Sequence, residues 1–244
     1  MRYLIILLLW IPMNTALFAQ ETTTTEETTD DFIELKSNIN KASDRVVMDF
    51  TYDMLLNTPS EVETKGFSRG FNIYFMYDVV LGKSRFSLAP GLGLGMNNYF
   101  HNNSIGYDTT GTTVFSALAD GVDFKKNKIG LTYFDIPVEF RFRSKPNAKQ
   151  NSWKLAAGFK AGIILQSKWK YSGDEIREGF DPDRQVKFKE FNIENLNRFR
   201  YGLTLRGGYG IWNAFVYYSL SDLFTEGGGP RMTPLSFGIS INGL

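Results

Sequence analysis

Leu131–Arg143 reads LTYFDIPVEFRFR. From Phe134, alternate residues are Phe134, Ile136, Val138, Phe140 and Phe142, all apolar. The intervening set is Tyr133, Asp135, Pro137, Glu139 and Arg141. Successive side chains of a strand point to opposite faces, so this segment has one greasy face and one charged face. In an ordinary buried sheet Asp135, Glu139 and Arg141 would be desolvated. The pattern suits a wall with lipid on one side and a polar interior on the other.

Seven further segments read the same way. Val46–Leu56 sets Val46, Met48, Phe50, Tyr52, Met54 and Leu56 against Asp49, Thr51 and Asp53. Phe67–Val80 sets Phe71, Ile73, Phe75, Tyr77 and Val79 against Gly70, Asn72, Tyr74 and Asp78. Arg85–Phe100 alternates Phe86, Leu88, Leu92, Leu94 and Met96 with Arg85, Ser87 and a run of glycines. The quoted stretch belongs to a fourth segment, about 129–142, and Trp153–Gln166 is the fifth, with Lys154 and Lys160 on its polar face. Arg198–Tyr209 follows, with Arg198, Arg200 and Arg206 opposite Phe199, Tyr201, Leu203 and Leu205. Asn213–Ser221 and a last segment around Leu235–Asn242 complete the set.

The links alternate in length. Leu81–Ser84, Ser144–Ser152 and Gly210–Trp212 are short, and His101–Lys128 and Ser167–Asn197 are long. Short periplasmic turns alternating with longer outer loops are the pattern of outer-membrane barrels. The predicted fold is therefore all-β, an eight-stranded antiparallel up-and-down transmembrane β-barrel with both termini in the periplasm. Its rims should be marked by aromatic residues. Phe86, Phe142, Trp153 and Trp212 are expected at the periplasmic rim, and Phe67, Phe100, Tyr133, Trp169 and Phe199 at the outer one.

Met1–Ala19 places Arg2 before an apolar run and ends on a small residue, the pattern of a secretory signal peptide cleaved near Ala19. Residues 20–44 begin as an acidic, Thr-rich linker, with Phe32, Leu35 and Ile39 at helical spacing. Residues 45–244 form the expected barrel. The formal charge is +1 and falls to about zero without Arg2, which argues against nucleic acid as a partner. There is no cysteine, so no disulfide, thiolate chemistry or lipid anchor is expected.

YFDIPVEFRF (Tyr133–Phe142) and LNRFRYGLTLRGGYGI (Leu196–Ile211) carry a resemblance. Over about 45–244 the chain resembles the small outer-membrane β-barrel family of Gram-negative bacteria often labelled PorT-like or porin-family. The resemblance implies an eight-stranded barrel in the cell outer membrane. A narrower branch of that family takes part in a dedicated protein-secretion pathway, so envelope or secretion proteins are the implied partners besides outer-membrane lipid.

Twelve charged residues are expected inside: Asp49, Asp53, Asp78, Arg85, Asp135, Glu139, Arg141, Lys154, Lys160, Arg198, Arg200 and Arg206. An eight-stranded barrel is just wide enough to be filled by side chains. These charges should therefore pair across the lumen as a structural network, with Gly91, Gly93, Gly95, Gly158 and Gly162 making room for them. Neither catalytic residue, cofactor nor metal site is expected. His101 is the only histidine, and its neighbours Ser104 and Asp108 have no spacing that carries meaning. The leading expectation is a non-enzymatic monomeric barrel acting through long outer loops. The alternatives are a secretion-pathway component, a secreted lipocalin-like ligand carrier with its apolar face inward, and a rim enzyme using His101.

Overall fold

The computed structural model describes residues 46–60, 62, 67–119, 121–145, 151–176 and 184–242. The expected signal peptide and the 20–44 linker lie outside the described residues. The strands are Val46–Leu56 (β1), Arg69–Met76 (β2), Val79–Val80 (β3), Phe86–Phe100 (β4), Asn103–Tyr107 (β5) and Thr113–Ala117 (β6). They continue with Phe124–Arg143 (β7), Trp153–Asp174 (β8), Gln185–Phe191 (β9), Phe199–Tyr209 (β10), Trp212–Ser219 (β11) and Thr233–Asn242 (β12).

Eight of these strands are staves of a closed antiparallel barrel in the order β1, β2, β4, β7, β8, β10, β11, β12. β12 returns to β1 in register from Val47↔Asn242 to Leu56↔Thr233, so the barrel has no open edge. The second expected strand is broken at Tyr77–Asp78, and its tail, β3, pairs with β4 on its own. Gly82 takes a left-handed conformation (φ 62°) in the tight turn that follows.

Apolar residues face out along every stave. Phe140, Phe159, Leu205, Val216 and Ile239 are exposed, whereas Asp49, Asp135, Glu139 and Lys160 are buried. On β4 the outward series Phe86, Leu88, Pro90, Leu92, Leu94, Met96 spans ten residue steps. At about 3.3 Å per step and a tilt of about 40°, that is a band about 25 Å tall, the height of an outer-membrane hydrocarbon zone. Burying this belt in lipid removes the penalty that water would impose on so much exposed apolar surface. The facing excludes the lipocalin-like alternative, which needs the apolar face inside.

Three strands fall where long loops were expected. β5 and β6 form a separate hairpin within the β4–β7 link. β9 pairs with the upper half of β8, from Lys168↔Phe191 to Asp174↔Gln185. β10 takes the lower half of the same edge, from Phe199↔Ile163 to Tyr209↔Trp153. β7 and β8 therefore run well past the belt, with 20 and 22 residues. Above the belt their polarity inverts: Asn127, Ile129, Leu131, Trp169 and Tyr171 point inward and are buried, while lysines point outward.

Candidate functional site

The interior has two tiers. The lower one, at membrane level, is ionic. Near the periplasmic end Arg206 of β10 bridges Asp49 of β1 (2.6 Å) and Glu139 of β7 (3.2 Å) and also reaches the Ser240 hydroxyl. Glu139 pairs in turn with Arg141 (2.8 Å). Asp78 lies 4.0 Å from Arg141 and pairs with Arg143. Three staves, β1, β7 and β10, and Asp78 in the break between β2 and β3 are thus tied across the bore through one chain of charges.

Higher in the barrel Asp135 is the hub. Arg200 grips its carboxylate with Nε (2.9 Å) and Nη2 (2.5 Å). The Tyr74 hydroxyl donates to it at 3.0 Å, and the Lys160 ammonium lies 3.9 Å away while donating to the Tyr74 oxygen at 3.3 Å. Arg200 also donates to Asn97 (2.7 Å). Aromatic faces cover both cations: Tyr133 lies 3.7 Å from the Arg200 guanidinium carbon and Tyr217 lies 3.8 Å from the Lys160 nitrogen. Asp53 accepts from the Thr51 hydroxyl (2.9 Å). Two glycines make this packing possible. A Cβ on Gly95 would collide with Arg200, and one on Gly162 would collide with Asp135.

Ten of the twelve expected interior residues are buried: Asp49, Asp53, Asp78, Asp135, Glu139, Arg141, Lys154, Lys160, Arg200 and Arg206. Arg85 and Arg198 are not. Each is exposed and precedes its strand, Arg85 in the β3–β4 turn and Arg198 just before β10. Strict alternation runs one residue past each strand: the two carbonyls still accept from Arg143 N and Ile164 N (2.9 Å each), but the side chains are exposed. Arg143 went unnoticed because it follows the last expected strand residue, yet it is buried on Asp78. Tyr133 and Trp169, expected in the outer aromatic girdle, are buried inside instead. Tyr133 stands on the inward parity of β7, whereas Trp169 is turned inward by a β-bulge at Leu165, where the pairing steps from Tyr133↔Ile164 to Thr132↔Gln166 and the facing of β8 reverses. Phe67, Phe199, Trp153 and Trp212 are exposed at the rims as expected.

The upper tier is an apolar cap. Tyr99, Phe115, Ile129, Leu131, Trp169, Ile193, Leu223 and Phe224 form one buried cluster above the ionic bore. The β5–β6 hairpin is stitched over it. Thr113 N donates to Gly228 O (2.9 Å), the Thr113 hydroxyl donates to Glu194 O (3.2 Å), and Asn195 donates to Gly111 O (2.7 Å). Trp169 Nε1 donates to Asn127 (2.8 Å), whose amide donates to Asn103 O (2.7 Å).

His101 lies under this cap, buried, edge-on to Phe115 at 5.7 Å. Its Nδ1 accepts from the Asn103 N–H (3.3 Å). Burial pushes its pKa down to about 4. Ser104 donates to Ser116 O, and Asp108 accepts from Thr110 and Thr112 inside its own turn. No hydrogen bond joins His101 to Ser104 or Asp108.

A closed barrel with a hydrocarbon exterior and a charged, filled interior is an integral membrane β-barrel. In keeping with this, residues 18–225 match the family model described as outer membrane protein beta-barrel domain. The chain belongs to that family, and the outer membrane is its location. Among solved structures the chain is similar to Ail, the attachment invasion locus protein of Yersinia pestis, crystallised with the heparin analogue sucrose octasulfate. The identity is 11% and the TM-score 0.32, over 81% of this chain and 95% of that one. No curated protein matches the sequence.

Proposed function

We propose that this is a non-enzymatic outer-membrane barrel whose lumen is structural and whose knitted outer surface is a binding or assembly platform. The observation that carries the reading is the double closure of the bore. Salt-bridged side chains fill it at membrane level, and an apolar cap covers it above. A water-filled path would have to break both. Binding surfaces commonly sit on loops held by a rigid scaffold, and here hydrogen bonds between loops hold the β5–β6 hairpin against the 192–198 and 220–232 segments.

Planar-bilayer recording on the purified protein tests this. The expected result is little steady conductance. A large, stable, water-filled conductance would overturn the closed-lumen reading. A second reading, a component of a dedicated protein-secretion pathway, has in its favour the family resemblance of Tyr133–Phe142 and Leu196–Ile211. A deletion strain that secretes normally would remove it.

A further inference from the structure

Above the belt, the outer surface of β7, β8 and β9 carries cations in register. In the lowest row the Asn98 side chain donates to Arg69 O (3.0 Å), Asn98 faces Gly130, and Gly130 faces Lys168. In the next row Phe100 faces Lys128, Lys128 faces Lys170, and Lys170 faces Lys189. In the third Lys126 faces Ser172, which faces Lys187. Gly130 leaves room for the Lys168 stem, whose Cε lies 3.3 Å from where a Cβ would stand. The Lys128 ammonium donates to Asn98 (2.7 Å) and lies 5.2 Å from the centre of the Phe100 ring.

Among the described residues none of these seven cations forms an ion pair. Glu190 stands opposite Trp169, on the other parity of β9. The crowding has a cost: the Lys128 pKa is pushed down to about 8 by burial and by Lys170, Lys126, Arg69 and Lys168. Lys170 is lowered too, by burial and by Lys168, Lys189 and Lys126. Like charges at these spacings call for an anion.

A second feature adjoins the first. Arg69 and Asn98 also border a groove of about 910 Å³ on the outer face of β12, β1, β2 and β4, walled by Phe50, Phe67, Phe71 and Phe237. This groove opens sideways into the hydrocarbon zone. The cations likewise point sideways from the wall rather than upward, and their lowest row begins one alternate step above Met96, the top of the apolar series on β4. That places them at headgroup height, next to a slot for a chain.

We propose that this face is a binding site for a phosphate-bearing, acylated glycolipid of the outer leaflet. Its phosphates rest on Arg69, Lys128, Lys168 and Lys170, and an acyl chain lies in the Phe50–Phe67–Phe71–Phe237 groove. A soluble polyanion would satisfy the charges alone and leave the groove unused.

The test uses the full-length protein in neutral detergent, titrated with lipid A and followed by native mass spectrometry. Controls are lipid A stripped of its phosphates and inorganic polyphosphate. The wild type should retain lipid A, and dephosphorylation should weaken it about tenfold or more, since each lysine near an anionic surface contributes appreciably. K126Q/K128Q/K168Q/K170Q should lose that preference, and the corresponding Lys→Arg variant should keep it. Gel migration before and after boiling should be unchanged in both, because these side chains are outside the fold's interior. Equal retention of lipid A by the Lys→Gln variant would overturn the proposal. So would polyphosphate binding as tight as that of lipid A.

Discussion

The lower and upper halves of β7 obey one parity and opposite chemistry. Below, the inward residues are Glu139 and Asp135 and the outward ones are Phe140 and Ile136. Above, the inward residues are Leu131 and Ile129 and the outward ones are Lys128 and Lys126. The strand does not change, but its surroundings do. Lipid outside leaves the interior as the only place where polar groups avoid hydrocarbon. Water outside restores the ordinary rule, and the core becomes apolar. One continuous sheet therefore encloses a salt-bridged bore and, directly above it, a globular-protein core.

The comparison breaks most readily at Asp135. Asp135→Ala strands Arg200, Lys160 and Tyr74 in the bore and should cost about 3–5 kcal/mol of barrel stability, read by urea unfolding in detergent. Asp135→Leu with Arg200→Met should recover the part of that loss due to Arg200, because an apolar pair of similar volume can replace a buried ion pair, while Lys160 still lacks its carboxylate. In the cap, Leu223→Ala should cost about 3 kcal/mol locally. Hydrogen exchange should show faster opening of β5–β6, while the membrane-level staves keep their protection and their unfolding midpoint.

A smaller effect sharpens the difference. His101 is held neutral in the fold, with a pKa of about 4 against an ordinary 6.5. Above pH 6.5 both folded and unfolded forms are neutral and the group has no effect. As pH falls from 6.5 towards 4 the opened state takes up a proton that the closed cap refuses, so cap stability falls. His101→Gln should remove this part of the acid sensitivity of β5–β6 exchange and leave the staves unaffected. Smallest of all, Arg85→Gln and Arg198→Gln should each change stability by less than about 0.5 kcal/mol, as exposed substitutions do.

The membrane-level half was legible because a lipid-facing wall makes every strand alternate. From Phe134 to Phe142 the parity alone separates lumen from lipid. It failed where the alternation lost its contrast. In Asn127–Tyr133 the outward residues turn polar while the inward ones turn apolar, so the belt pattern stops although the strand continues; in β8 the odd-numbered apolar series runs on to Trp169 and Tyr171, but the bulge at Leu165 turns it inward. Arg85 and Arg198 failed for a different reason, since each extends the pattern one residue before its strand, where the carbonyl still bonds to the neighbouring stave but the side chain is exposed. The partners of Asp135 come from β2, β8 and β10, and no local spacing records which cation meets which carboxylate.

The chain contains no cysteine, so single-cysteine spin labels report facing without background. The most direct test places labels in turn at Phe140, Phe159 and Ile239 on the belt and at Lys126, Lys170 and Lys187 above it, in reconstituted bilayers. Power-saturation spectroscopy should find the first three open to oxygen and closed to a water-soluble nickel complex, and the last three open to the complex. If labels at Phe140, Phe159 and Ile239 met the nickel complex instead, the apolar face would not be in lipid, and the barrel would be inside out.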